Sequence, residues 1–249
     1  MEKKYLTCLI VLTGIIACNN EKPDNNTTKD SAMTTNTSTA NADRGGAISL
    51  FDGKTFSGWH GFNKTGEVKN WAIEDGAMVC LGAAPDAHGG DIASDRDYEN
   101  FELSWEWKVT KGGNSGVMYH VVEDAKYQAP YETGPEYQMI DDTGFPQKLE
   151  DWQKTGADYA MYTPGNNKKV NPTGEWNTSR IIFNKGHVEH WLNGEKIVEF
   201  ESWSDDWKKR RAEGKWKDYP AYGNAKTGKI ALQDHGNKVY FRNIMIREL

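Results

Sequence analysis

Phe101-Glu-Leu-Ser-Trp-Glu-Trp-Lys-Val109 decides the fold. Phe101, Leu103, Trp105, Trp107 and Val109 alternate with Glu102, Ser104, Glu106 and Lys108 without a break, the period of a strand with one face in a core and the other polar. The same grammar extends outward. Trp71–Cys80 turns around Asp75-Gly76, and Gly186–Phe200 turns around Asn193-Gly194, the dipeptides that supply the two positive-φ residues of a tight hairpin. Ile48–Trp59 reads as another strand and return around Asp52-Gly53. Arg180–Asn184, Gly228–Gly236 and Val239–Leu249 are further strands. Ten tryptophans and 25 glycines fit many short strands and tight turns, so the expected class is all-β. One short helix is predicted near 204–213, with Ser204 as its N-cap, acids in its first turn and bases after them.

The N-terminus is of another kind. A basic start, the apolar run Leu9–Ala17 and a cysteine at Cys18 describe a secretory leader, too short to span a bilayer. Ile15-Ile-Ala-Cys18 is similar to a bacterial lipobox, which implies cleavage before Cys18 and a lipid on it. The expected organisation is therefore a lipoprotein signal peptide at 1–17, a disordered tether at 18–46 and a domain at 47–249. The tether is Asn, Thr, Ser, Ala and Lys with almost nothing apolar, and it cannot bury enough surface to offset its chain entropy. Localisation is expected at the bacterial cell envelope, anchored to the membrane by lipid alone. The formal charge of −6, with no basic stripe, argues against nucleic acid as a partner. Cys80 is left without a partner in the domain and reads as a small buried hydrophobe.

Two strands joined by a long loop, Asn114-Ser-Gly-Val-Met-Tyr-His120 and Pro135-Glu-Tyr-Gln-Met-Ile-Asp-Asp142, carry the candidate chemistry. Strict alternation puts Glu136 and Gln138 on one face and Tyr137 and Met139 on the other. It also groups Met118, His120 and Val122, so that a His, a Glu and a Gln can meet on one sheet surface. Asp141 is an odd step from Glu136, which disfavours a two-carboxylate glycosidase on this strand, and Asp141 and Asp142 read as turn-formers. His187 and His190, three apart in a strand, face opposite ways and make no metal pair. The excursion from Thr143 to Gly174 is long and aromatic, as functional loops are.

Leu50-Phe-Asp-Gly-Lys54, Gly113-Asn-Ser-Gly116, Pro135-Glu-Tyr-Gln138, Gly174-Glu-Trp-Asn-Thr178, His190-Trp-Leu-Asn-Gly194, Leu232-Gln-Asp-His-Gly236 and Phe241-Arg-Asn-Ile244 occur in this order. Together they closely resemble the 3-keto-disaccharide hydrolase family from about Ile48 to Leu249. The resemblance implies a concanavalin-like jelly-roll β-sandwich of two antiparallel sheets. It also implies cleavage of glycosides already oxidised to a ketone at C3, by 1,2-elimination followed by hydration.

The chemistry of such a substrate sets what a site must contain. The ketone acidifies the proton on C2, a base removes it, and the enolate expels the C1 substituent before water adds across the double bond. On this reading Glu136 is the base and His120 its acid–base partner. Gln138, Asn114, Gln233 and His235 contact the substrate, while Trp152 and Tyr159 either stack on a sugar ring or pack their loop. His120 with Glu136 is also a candidate pair of ligands for a divalent metal, manganese or zinc. His235, beside Gly236, has the alternative of capping a turn. The competing readings are a non-catalytic carbohydrate-binding sandwich and a conventional glycosidase. No Gly-x-Gly-x-x-Gly follows a strand, so an upstream 3-dehydrogenase is expected as the pathway partner that makes the ketone.

Overall fold

The computed structural model describes residues 46–82 and 90–249; the leader, the tether and the lipidated Cys18 expected from the sequence lie outside the described residues. Phe101–Val109 forms strand β6, with every odd-numbered residue buried and every even-numbered one half-buried. It sits in the larger of two antiparallel sheets. That sheet runs β11 (Glu195–Glu201), β10 (His187–Leu192), β9 (Asn177–Asn184), β6, β13 (Val239–Glu248), β4 (Ala77–Cys80) and β3 (Trp71–Glu74), with the short β1 (Ile48–Ser49) also pairing with β13. The smaller sheet runs β2 (Trp59–Gly61), β5 (Ile92–Tyr98), β12 (Gly228–Leu232), β7 (Asn114–Val121) and β8 (Glu136–Ile140).

The two sheets bury their apolar faces against each other as a sandwich. Phe101, Leu103, Trp105 and Trp107 of β6 share one core with Val117 and Tyr119 of β7, Tyr137 and Met139 of β8, and Ile230 and Leu232 of β12. Two of these aromatics satisfy their polar atoms inside it: Trp107 Nε1 donates to Ser179 Oγ at 2.8 Å, Ser179 Oγ donates to Tyr137 Oη at 2.8 Å, and Tyr137 Oη donates to the Trp191 carbonyl at 3.1 Å. Cys80 is fully buried in the same core, and burial pushes its thiol pKa well up, which leaves it inert.

Asn193 and Gly194 take φ of 47° and 88°, and Asp75 and Gly76 take 48° and 75°, the tight turns their sequences call for. Asp52-Gly53 departs from the expectation. The Asp52 carboxylate accepts from the Lys54 and Thr55 amides at 2.8 and 2.7 Å, which closes a local loop, and β1 pairs with β13 instead of returning on itself. The helix α1 spans Asp205–Glu213, with Ser204 Oγ accepting from Trp207 N at 3.2 Å.

Two features position the site. First, β8 is not left as a bare edge, because the excursion after it doubles back alongside. Gln138 N donates to Ala157 O, Gly156 N to Gln138 O and Tyr159 N to Glu136 O, at 3.1, 2.8 and 3.0 Å. Second, β7 carries a bulge against β12. Lys229 pairs with Val121 and Ala231 with Met118, so Tyr119 and His120 together face the single residue Ile230.

Candidate active site

Residues directly opposite in an antiparallel pair share a face, and Glu136 lies opposite Met118 while Gln138 lies opposite Gly116. With Tyr137 and Met139 committed to the core, Glu136 and Gln138 point out of the sandwich, on the far face of the smaller sheet. There they line a cavity of about 160 Å³ with Asn114, Gln233, His235, Tyr131, Tyr159, Lys215 and Tyr219. Six of the eight residues singled out for catalysis or substrate contact in the sequence are thus brought to one place. They come from the start of β7, the length of β8, the loop after β12 and the strip that lies along β8.

Each is held there by its backbone. Gln233 N donates to Gly116 O at 3.0 Å and Ser115 Oγ to Gln233 O at 2.7 Å, which joins the end of β12 to β7 just below Asn114. Gly236 takes φ of 78°, and the turn there is capped by Asp234, whose Oδ1 accepts the Gly236 amide at 3.0 Å. His235 is therefore not needed as the cap and lines the cavity. Gly116 has a specific reason to lack a side chain, because a methyl at that position would overlap the Glu136 carboxylate. Asn114 Oδ1 and Gln233 Oε1 are buried acceptors without a hydrogen-bond partner among the described residues. Both belong to cavity-lining residues, where a hydroxyl-rich ligand would satisfy them.

Glu136 is 4% exposed, and burial pushes its pKa up to about 7, while the Lys215 charge works in the opposite sense. It is the only carboxylate among the described lining residues. Asp158 lies alongside on the strip and is fully buried, with both carboxylate oxygens unpartnered among the described residues. Burial, and then the neighbouring Glu136 charge, hold its pKa well above the usual carboxylate range.

Two placements correct the sequence reading. His120 does not meet Glu136. At the bulge it takes φ of 52° and turns into the core, its ring centroid 4.3 Å from that of Phe183 and 5.7 Å from that of Phe101, with Nε2 donating to the Glu99 carbonyl at 2.8 Å. Burial pushes its pKa down to about 4, so it is a neutral packing residue. Val121 takes the vacated face with Met118, beside Phe62, Ala93 and Ala231. The His120–Glu136 pair consequently does not fit a metal. Trp152 is the second correction. It does not line the cavity; 37% exposed, it stands edge-on to Tyr159 at 5.5 Å between centroids and packs that loop.

Asp141 and Asp142 are turn-formers, as expected. Asp141 accepts from the amides of Gly112, Thr143 and Gly144 at 2.9, 3.2 and 2.8 Å, and Asp142 from Thr155 N and Lys168 Nζ at 2.8 and 2.6 Å. They border a separate cleft with Trp107, Val170 and Pro172 and are not available as bases. Among the described residues the one cluster with metal-ligand spacing is His187, Glu189 and Glu199 on the larger sheet, and Lys196 already pairs with both of its glutamates, at 3.2 and 2.7 Å.

Sequence reasoning missed Lys215, Tyr131 and Tyr219. Lys215 opens the 3-10 turn Lys215–Asp218 immediately after α1, whose C-cap is Gly214. The available signal was the cluster of aromatics that follows the helix, Trp216, Tyr219 and Tyr222, which is more than a helix-terminating turn requires.

Fold and pocket define a two-sheet antiparallel β-sandwich with a polar cavity built on the outer face of its smaller sheet. The chain belongs to the 3-keto-alpha-glucoside-1,2-lyase-like domain family, whose profile matches residues 46–247. A 3-keto-disaccharide hydrolase from Bacteroides thetaiotaomicron is 36% identical over 233 residues, 83% of this chain and 80% of that protein. Two crystal structures from Parabacteroides distasonis ATCC 8503, each provisionally described as a glycosyl hydrolase, share the fold. One is 52% identical with a TM-score of 0.77, covering 82% of this chain and 94% of the other; the second is 28% identical with a TM-score of 0.59, covering 77% and 99%.

Proposed function

We propose that this protein cleaves glycosides that carry a ketone at C3, with Glu136 removing the C2 proton, the C1 substituent leaving by elimination and water adding to give net hydrolysis. The observation that carries the reading is the solitary carboxylate. An ordinary glycosidase sets two carboxyl groups across the scissile bond, roughly 5 to 9.5 Å apart, one to protonate the leaving oxygen and one to attack or activate water. The described lining of this cavity offers Glu136 alone. A single base suffices once the ketone has made C2 acidic, and a pKa near neutrality suits a base that must be ionised before reaction and protonated after it.

The rest of the cavity supports the same reading. Amides at Asn114, Gln138 and Gln233 and the phenols of Tyr131, Tyr159 and Tyr219 are what a sugar's hydroxyl groups require. A buried carboxylate with a raised pKa also argues against a binding module, which would favour a shallow aromatic platform. The ketone would be made by an oxidoreductase acting earlier on the same sugar, a partner by reaction sequence. The full-length protein assayed on a 3-keto-glucoside and on its unoxidised parent tests the proposal. Release of the aglycone from the keto substrate alone is expected; release from both at similar rates would replace the reading with a conventional glycosidase.

A further inference from the structure

An elimination of this kind needs a second participant, one that holds the oxygen at C3 while negative charge builds on it, and a cation does so most strongly. Among the described lining residues of the pocket Lys215 is the one lysine or arginine, and aromatic rings surround it. Lys215 Nζ lies 4.3 Å from the ring centroid of Tyr159, 4.8 Å from that of Trp216 and 5.8 Å from that of Tyr131. It makes no ion pair within 4 Å among the described residues, although Glu136 lines the same cavity. Lys168 and Lys196 by contrast reach a carboxylate at contact, Lys168 with Asp142 at 2.6 Å and Lys196 with Glu199 at 2.7 Å.

The rings explain how an ammonium is held at the exposed side of the cavity without a contact carboxylate, since aromatic faces attract a cation and none of them accepts its hydrogens strongly. The backbone beneath it is fixed. Gly214 N closes α1 on Arg210 O at 2.8 Å, Trp216 Nε1 donates to Tyr159 O at 3.0 Å, and the Trp216 ring stacks on Tyr222 at 4.1 Å and 9°. Carboxylate and ammonium therefore line one small cavity without touching. A sugar ring between them presents adjacent carbons, a C2 hydrogen to one and a C3 oxygen to the other.

We propose that Lys215, as the ammonium, is a catalytic residue that donates to the C3 ketone oxygen and stabilises the enolate formed when Glu136 takes the C2 proton. The inference rests on the function proposed above. In the step itself the C2–H bond breaks toward Glu136, its electron pair becomes the C2–C3 π bond, and the carbonyl π pair moves to the oxygen held by Lys215. As the enolate collapses, the oxygen pair re-forms the C3 ketone, the C2–C3 π pair becomes a C1–C2 π bond, and the C1 substituent leaves with its bonding pair.

The test uses the full chain with Lys215→Met and Lys215→Arg. Each is assayed for aglycone release from a 3-keto-glucoside, for C2 hydrogen–deuterium exchange, and for binding of the unoxidised parent glucoside by titration calorimetry. Lys215→Met is expected to lower kcat and C2 exchange together by about 100-fold or more, with binding of the parent within threefold and a cooperative melt retained. Lys215→Arg is expected to recover only part of the rate, because a planar guanidinium does not fit among the same three rings. If Lys215→Met misfolds, Lys215→Gln takes its place. A Lys215→Met enzyme within threefold of wild type overturns the assignment, and so does a Lys215 adduct trapped by borohydride with the keto substrate, since that makes the lysine a covalent participant. If wild type itself binds the parent but leaves the keto substrate intact, the parent proposal falls and this one with it.

Discussion

Glu136 shows what burial does to one residue. Its carboxyl is pushed up to about 7 against an ordinary 4.5, so the folded protein binds a proton more tightly than the unfolded chain. Between those two values stability falls as pH rises, and the penalty is complete above about pH 7. Glu136→Gln removes it, so at pH 8 the variant is expected to be more stable than wild type by on the order of 3 kcal/mol in urea unfolding, a difference that vanishes near pH 4. The same substitution is expected to lower kcat/KM by at least about 100-fold. In wild type the acid limb of the kcat/KM profile should fall near pH 7, because only the carboxylate form is a base.

His120 gives the opposite case. It is neutral, inward and at φ of 52°, a conformation Asn also adopts readily. His120→Asn is expected to cost about 1–3 kcal/mol of stability through lost contacts with Phe183 and Phe101, while kcat/KM stays within threefold. A metal or acid–base role would reverse that pattern. Alternation located Glu136 and Gln138 correctly because β8 is regular. It misplaced His120 because a bulge inserts one residue without a mark in composition: the Tyr119-His120 pair looks no different from its neighbours until the pairing with β12 is known.

At the level of elements, β7 and β8 make the site as a pair. Gly116 sits under the Glu136 carboxylate, and its own backbone is ordinary strand, so Gly116→Ala acts through space and not through conformation. It is expected to lower kcat about 100-fold while the far-ultraviolet circular dichroism is unchanged, the effect of moving a base by about 1 Å. The helix α1 delivers Lys215, and its start is fixed by the Ser204 cap. Ser204→Ala should cost about 1 kcal/mol, seen as a melting temperature lower by roughly 2–4 °C.

Most of these elements were legible. β6, the Asp75-Gly76 and Asn193-Gly194 hairpins and the capped helix each announce themselves by local period or turn chemistry. Asp52-Gly53 shows the limit: the same dipeptide closes a side-chain-capped loop when no complementary strand follows at hairpin distance. The strip along β8 was legible only as a long aromatic loop, since the hydrogen bonds of Gly156, Ala157 and Tyr159 to β8 are backbone contacts that no side-chain pattern encodes.

For the whole molecule, the sandwich separates two tasks. Its interior, dominated by Trp105, Trp107, Tyr119 and Tyr137, fixes the sheets, and the outer face of the smaller sheet is free to carry polar groups that a core would not tolerate. The pocket collects residues from positions 114 to 235, and the sequence revealed those on or next to the motif-bearing strands and on the long aromatic loop but not Tyr131, before β8, or Lys215 and Tyr219, brought in by the turn after the helix. The central claim concerns the C2 proton, and isotope placement tests it directly. The full-length enzyme is given a 3-keto-glucoside in D2O, and the sugar released in the first few turnovers is read by NMR against an enzyme-free control of the same keto sugar. Deuterium at C2 of the product, above the control and lost in Glu136→Gln, is the expected result. Full cleavage with the original hydrogen still at C2 would contradict it.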